Sequence, residues 1–210
     1  MRRAKVLTHA AREETRPKRW LVYDLETYAT GFADPAWVPQ VVTCVAWKWL
    51  DDKDGPVSEP QVEAVIDYAP GGVMPHLHPK GIREMILPFL EALDASDGVI
   101  TYNGMRFDNP VLNGTMYYIG LQPLEPILTY DLHDFGKTKG VKKGLDNTAE
   151  HLGVSEKKLS MNHAQWTEGY LEPGWPTIRA RAASDVVLTE QVYHAKRELG
   201  WLKPPRMWKP

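Results

Sequence analysis

The chain has 210 residues, of which 43% are hydrophobic and 25% are charged, a composition typical of one globular domain with a sizeable core. The formal net charge of −2 excludes a protein that binds polyanions through its bulk charge. The one cysteine excludes a disulfide framework and a thiolate metal cluster within the chain. Because no apolar segment approaches membrane-spanning length and the N-terminus lacks the apolar core of a secretory signal, we expect a cytoplasmic protein with no membrane partner.

Basic residues are nevertheless concentrated in three places. We predict a basic N-terminal arm at 1–18, one domain at 19–200 and a basic C-terminal tail at 201–210. The third concentration is a run of lysines without any acid, formed by Lys137, Lys139, Lys142 and Lys143. Such a run is usually a solvated surface loop, and its alternative is a track for a phosphate backbone.

The first half of the chain predicts three strands and then a helix. An apolar run predicts a strand at 19–25, and β-branched and aromatic residues predict strands at 41–50 and 61–69. The apolar positions between 80 and 93 fall at helical spacing.

The second half alternates between strand and helix. In chain order, we predict a strand at 98–102, a helix at 107–121, a strand at 127–132, a helix at 145–152, an irregular segment at 154–176 and a helix at 177–199. This order predicts an α/β domain with a mixed five-stranded sheet flanked by helices.

Two carboxylates close the first predicted strand. Residues two apart in a strand point to the same side, so Asp24 and Glu26 should lie together. Like charges held that close raise each other's pKa unless a cation lies between them. Strand ends often collect acids, so this pair by itself is a weak indication of a site.

Two further aspartates have a suggestive context. Asp108 lies at a predicted helix start, where an aspartate is commonly a cap, and Asp185 lies in the last helix, where Arg179 or Arg181 can pair with it. Taken with Asp24 and Glu26 they would form a strongly self-repelling group. A pair of divalent cations resolves that repulsion, because Mg²⁺ prefers oxygen ligands.

The joint pattern resembles the DEDD (DnaQ-like) family of 3′–5′ exonucleases in the ribonuclease-H-like superfamily. The resemblance rests on three features: the D-x-E motif Asp24-Leu25-Glu26, the N-x-x-x-F-D motif at 103–108 and the final aspartate Asp185. VYDLET and TYNGMRFDNP are most similar to the branch with YDLET and YNGxxFD motifs. The likeness spans roughly residues 19–195.

This resemblance implies a ribonuclease-H-like fold and a two-metal 3′–5′ exonuclease of DNA or RNA. It implies that two Mg²⁺ or Mn²⁺ ions are held by Asp24, Glu26, Asp108 and Asp185. Asn103 and Phe107 would shape the substrate pocket, although Phe107 is equally well explained by core packing. Lys139, Lys142 and Lys143 would contact the substrate backbone. The implied partner is nucleic acid, single-stranded DNA or a 3′ end, and a polymerase or replication partner is a further expectation.

One position departs from the family pattern. Members usually carry a tyrosine four residues before the last aspartate or a histidine five before it, whereas this chain has Arg181 and Ala180. Arginine stays protonated and cannot act as a base, so we expect Arg181 to hold the scissile phosphate. The base is then a loop residue such as His163 or Tyr170, or the metal activates its own water, or the site binds without cutting well. A structure-selective endonuclease and a non-catalytic nucleic-acid-binding or polymerase-accessory module therefore remain alternatives.

Overall fold

The computed structural model describes residues 19–27, 40–50, 58–69, 78–133, 142–161 and 175–210. The expectations for the arm at 1–18, for Lys139, and for His163 and Tyr170 as bases fall outside these ranges.

Six strands form one mixed sheet. In chain order they are β1 Trp20–Thr27, β2 Val42–Trp49, β3 Gln61–Ala64, β4 Gly98–Thr101, β5 Ile127–Asp131 and β6 Arg206–Trp208. Across the sheet their order is β3-β2-β1-β4-β5-β6. β1, β4 and β5 run parallel to one another, and the other neighbours are antiparallel. The predicted α/β class with a mixed sheet is thereby confirmed.

The sheet has one strand more than the five predicted. β6 comes from residues 201–210, which the sequence predicted as a tail, and it pairs with β5 from Ile127↔Trp208 to Thr129↔Arg206. A three-residue strand has too little alternation to be recognised in the sequence. It forms because it supplies hydrogen-bond partners to the edge of β5 and buries Trp208.

Among the described residues, four helices accompany the sheet: α1 Pro79–Asp94, α2 Asp108–Tyr118, α3 Leu145–His151 and α4 Trp175–Glu198. They match the predicted helices to within a few residues. The predicted strand at 61–69 is shorter than expected, because the chain turns into a 3₁₀ helix at Val65–Asp67 directly after β3. Within the described ranges, no helix combines the length and the apolar character needed to cross a membrane.

Alternation along β1 and β2 separates the two faces of the sheet. Tyr23 and Trp47 lie in register and both pack against Phe89 of α1. Lys48, the next residue of β2, points to the other face and forms an ion pair with Glu190 of α4 at 2.5 Å. Because side chains alternate along a strand, the residues on either side of Tyr23 also face α4, among them Asp24.

The ladder between β1 and β4 ends before the functional motif begins. Its last pair is Val22↔Ile100, whereas β1 continues to Thr27 beside β2. The carboxyl ends of the parallel strands β1, β4 and β5 therefore share one edge, with a crevice between β1 and β4. Ligands of open α/β sheets bind in crevices of this kind.

The buried Lys48–Glu190 pair ties α4 to the sheet, and its loss should be costly. Both side chains are at least nine-tenths buried, so Glu190→Ala removes the counter-charge that this pair gives to a buried ammonium and should lower the unfolding free energy by about 3–5 kcal/mol. Denaturant unfolding measures this loss. The double variant Lys48→Met/Glu190→Leu should recover most of it, and a double variant as unstable as Glu190→Ala would contradict the assignment.

Candidate active site

Three carboxylates from two elements converge at the crevice edge of the sheet. Oxygens of Asp24, Glu26 and Asp185 all lie within 4.8 Å of one another. β1 places the first two on the same face by alternation, and α4 crosses that face with Asp185, which is 2% exposed. Asp185 Oδ1 is buried and has no hydrogen-bond partner among the described residues.

This donor set fits a divalent metal. Buried polar atoms are nearly always paired, so the orphaned oxygen of Asp185 indicates a partner that the described part of the protein does not supply. Carboxylate oxygens are the ligands that Mg²⁺ and Mn²⁺ prefer. The cluster is thus compatible with the predicted cation site.

The fourth predicted carboxylate, Asp108, lies beside this group rather than within it. It is the first residue of α2 and is 3% exposed. Backbone N–H groups of Leu25 and of Asp108 itself donate to its carboxylate, and its charge helps to raise the pKa of Asp24. Asp108 therefore lies in the crevice between β1 and β4, where β1 no longer pairs with β4.

Burial dominates the electrostatics of the cluster. It raises the pKa of Glu26 to about 7, despite the nearby Arg181 guanidinium that favours the charged form. Burial also raises the pKa of Asp108 to about 7. For Asp24, burial raises the pKa first, and the charges of Glu26, Asp108 and Asp185 raise it further. Near neutral pH these carboxyl groups ionise readily only if a cation accompanies them.

These raised pKa values predict that the metal-free protein gains stability on acidification. Between the ordinary carboxyl pKa and about 7, the folded state binds more protons than the unfolded state, so stability falls as pH rises through this window and levels off above it. Asp108→Asn should remove on the order of 2 kcal/mol of this dependence. Thermal unfolding in EDTA between about pH 5 and pH 8 measures it.

Asp94→Asn is the matched control, because Asp94 is an exposed acid at the end of α1. It should reproduce the wild-type pH dependence. A steep wild-type dependence that persists in Asp108→Asn would mean that the Asp108 carboxyl is ionised in the folded protein.

Two cations lie against the carboxylates. Arg181 Nε donates to Glu26 Oε1 at 3.0 Å, and another of its nitrogens lies 3.8 Å from Asp185 Oδ2. Lys158 Nζ lies 2.7 Å from Asp185 Oδ2. The sequence offered Arg179 or Arg181 as a partner of Asp185; Arg181 lies near it, whereas Arg179 forms an ion pair with Asp67. Sequence reasoning missed Lys158, which lies in a segment without helix or strand and has no motif around it.

The turn before Asp108 is held by the end of β5. Asp131 accepts hydrogen bonds from the backbone N–H of Asn103 at 2.9 Å and of Met105 at 3.2 Å. Asn103 has a φ of 73°, a left-handed conformation that asparagine tolerates better than most residues. A Cβ on Gly104 would lie 2.1 Å from Thr101 Oγ1. The motif residues are therefore needed for the shape of this turn.

The remaining predicted residues lie at the same edge of the sheet or outside the described ranges. Phe107 is partly buried and does not appear in the hydrophobic core of the described residues. The Lys143 carbonyl accepts a hydrogen bond from Tyr102 Oη at 2.6 Å, just after β4, and Lys142 is exposed. The structure does not describe Lys139 or His163.

Comparison with known proteins agrees with this architecture. The RNase_H_2 model, described as RNase_H superfamily, matches residues 73–189, a segment that contains Asp108 and Asp185 but begins after β1. No curated protein matches the chain. The family B DNA polymerase from the hyperthermophilic archaeon Pyrobaculum calidifontis is similar in structure, with a TM-score of 0.60 and 22% identity. That match covers 88% of this chain but 25% of the polymerase chain, and it shows a shared fold.

Proposed function

Because this chain belongs to the RNase_H superfamily, we propose that it is a metal-dependent 3′–5′ exonuclease that hydrolyses phosphodiester bonds of DNA, with RNA as the alternative substrate. Superfamily membership supports a nuclease-type function. The observation that carries the proposal is the convergence of Asp24, Glu26 and Asp185 within 4.8 Å, with an orphaned buried oxygen on Asp185. The 3′–5′ direction rests on the likeness of the motifs to the DEDD exonucleases.

The chain offers ligands for two Mg²⁺ or Mn²⁺ ions. Asp24, central among the acids, would be shared by both; Glu26 and Asp185 would hold one, and Asp108 would act on the other. When bound, the ions supply an activated water and neutralise charge at the phosphorus. The buried carboxylates keep the oxygens fixed in place, so that little reorganisation accompanies the reaction.

Three other residues receive roles in this proposal. Arg181, whose guanidinium already lies at the carboxylates, would turn one edge toward the scissile phosphate. Phe107 would pack against the terminal nucleotide, which accords with its place outside the core. Asn103 would shape the wall of the substrate pocket in the turn that precedes Asp108. Lys142 and Lys143, at the same edge of the sheet as Tyr102, would contact the backbone of the strand.

The DNA preference and a polymerase partner rest on a structural neighbour. The structurally similar protein is a DNA polymerase of which this chain spans about a quarter. A domain of this fold can thus be joined to a polymerase. We propose that this chain acts on DNA ends in a replication context.

A cleavage assay tests the proposal. Single strands of DNA and RNA of one sequence, labelled at the 3′ end, are incubated with Mg²⁺, Mn²⁺ or EDTA. We expect labelled mononucleotides in either metal and none in EDTA, with faster release from DNA. Labelled oligonucleotides released by internal cuts would support the endonuclease instead, and binding without cleavage would support the non-catalytic module. Full activity in EDTA would exclude the metal assignment.

A further inference from the structure

The C-terminal strand borders a cleft beside the candidate active site. The cleft has a volume of about 580 Å³. Among the residues that the structure describes, the charged or titratable ones in its lining are Arg106, Asp131, His133, Lys203 and Arg206. Three of these are cations at neutral pH and one is an acid.

The acid offsets only one of the three positive charges, so this lining keeps a net positive charge. Asp131 Oδ1 accepts hydrogen bonds from the backbone N–H of Asn103 and of His133, and Oδ2 accepts one from Met105. Both carboxylate oxygens thus face backbone donors of the turn that they hold. The side chains of Lys203 and Arg206 are exposed on the opposite wall.

The cleft lies on the same edge of the sheet as the carboxylates. One wall is the turn 104–107, which leads directly into Asp108. The other wall is 203–206, because β6 runs antiparallel to β5 from Thr129↔Arg206, so residues before Arg206 pass the carboxyl end of β5. β5 lies two strands from β1, which places the cleft roughly 10 Å from the carboxylates at a strand spacing of about 4.8 Å.

We propose that this C-terminal cleft binds the phosphate backbone of a single nucleic-acid strand whose 3′ end reaches the carboxylates. The inference rests on the proposed function and states where on the protein the rest of the substrate strand would lie. Guanidinium groups such as those of Arg106 and Arg206 match the geometry of phosphate. A backbone seated there releases counterions and continues across the turn to Asp108. The C-terminal segment thereby serves as a substrate-binding element as well as an edge strand.

Binding measurements without hydrolysis test the cleft. Fluorescence anisotropy in EDTA compares Lys203→Ala/Arg206→Ala with the wild type on strands of about 4 and about 16 nucleotides, the range of site sizes of single-strand-binding folds. Loss of two phosphate contacts should lower the salt slope by about 1.4, at about 0.7 per contact. Affinity for the long strand should fall roughly tenfold or more. The short strand, which reaches the cleft less completely, should lose less.

Charge-matched variants separate a local cleft from general charge. Lys80→Ala/Arg83→Ala removes the same two charges from exposed positions of α1 and should leave binding unchanged. Lys203→Arg/Arg206→Lys keeps both charges and should retain the salt slope. If the double alanine variant unfolds, Lys203→Ala changes a residue outside β6 and should lower the slope by about 0.7.

Failure of this inference can be told apart from failure of the proposed function. A wild-type protein that cleaves strands, combined with unaltered affinity and salt slope in Lys203→Ala/Arg206→Ala, would overturn the cleft alone. Equal losses in Lys80→Ala/Arg83→Ala would overturn it too, because the effect would then be general charge. A wild type that neither binds nor cleaves DNA or RNA strands would overturn both.

Discussion

Replacing Asp24 by alanine should abolish cleavage while leaving the fold intact. The charges of the other three carboxylates all raise the pKa of Asp24, which places Asp24 near each of them. Its loss therefore removes the ligand that both metal positions would share. Metal stabilisation of the transition state is worth several kcal/mol, and each 1.36 kcal/mol is tenfold in rate. Turnover should therefore fall about 10³-fold or more, measured as mononucleotide release under single-turnover conditions.

The same variant should keep or raise the melting temperature in EDTA, since it removes a carboxyl group whose ionisation is disfavoured in the folded protein by burial and by the neighbouring carboxylates. Its stabilisation by Mg²⁺ should shrink, because the stabilisation that a ligand gives grows with the logarithm of its affinity for the folded state. Asp94→Ala serves as the control for removal of an exposed acid and should behave as wild type in both assays. Near wild-type cleavage by Asp24→Ala would remove the basis of the proposed site.

Replacing Arg181 by alanine should also cut turnover sharply. In the structure its guanidinium contacts Glu26 and lies 3.8 Å from Asp185 Oδ2, on the face where the scissile phosphate would lie. A donor that stabilises charge developing in the transition state is worth about 10²–10³ in turnover. Single-turnover rates at saturating strand and metal measure this loss.

Arg181 has a second role that must be separated from the first. As a counter-charge it competes with a metal for Glu26, so Arg181→Ala should tighten Mn²⁺ binding, measured by calorimetry, even as turnover falls. Lys158→Ala removes the other cation from the cluster and is the matched control, expected to tighten Mn²⁺ binding with a smaller loss of turnover. Unchanged turnover in Arg181→Ala would leave Arg181 as a counter-ion only.

The position of Arg181 also bears on the missing base. If arginine merely fills a vacated position, Arg181→Tyr should restore the usual family residue and raise the rate. Without a side-chain base, the rate should climb toward alkaline pH, helped by ionisation of Glu26, whose pKa is raised to about 7. A histidine-like limb near pH 6.5 that disappears in His163→Ala would instead identify His163 as the base.

Local sequence pattern predicted most of the elements and the relative placement of some residues of the candidate site. Apolar periodicity located α1 to within a few residues, because this helix buries one face and the pattern is repeated over several turns. Strand alternation placed Asp24 and Glu26 side by side, because the side-chain period of a strand is independent of its partners. The sequence also offered Arg179 or Arg181 as a partner of Asp185 but did not decide between them.

The tertiary structure decided which distant groups meet. Lys158 pairs with Asp185, and β6 joins β5, through contacts that no local pattern encodes. The raised pKa values of Glu26 and Asp108 follow from burial, which depends on how α4 and α2 close over the crevice. The C-terminal cleft likewise exists because residues nearly a hundred positions apart form its two walls. A short-range period can be read along a chain, whereas desolvation and ion pairing arise when the packed core brings separate segments together.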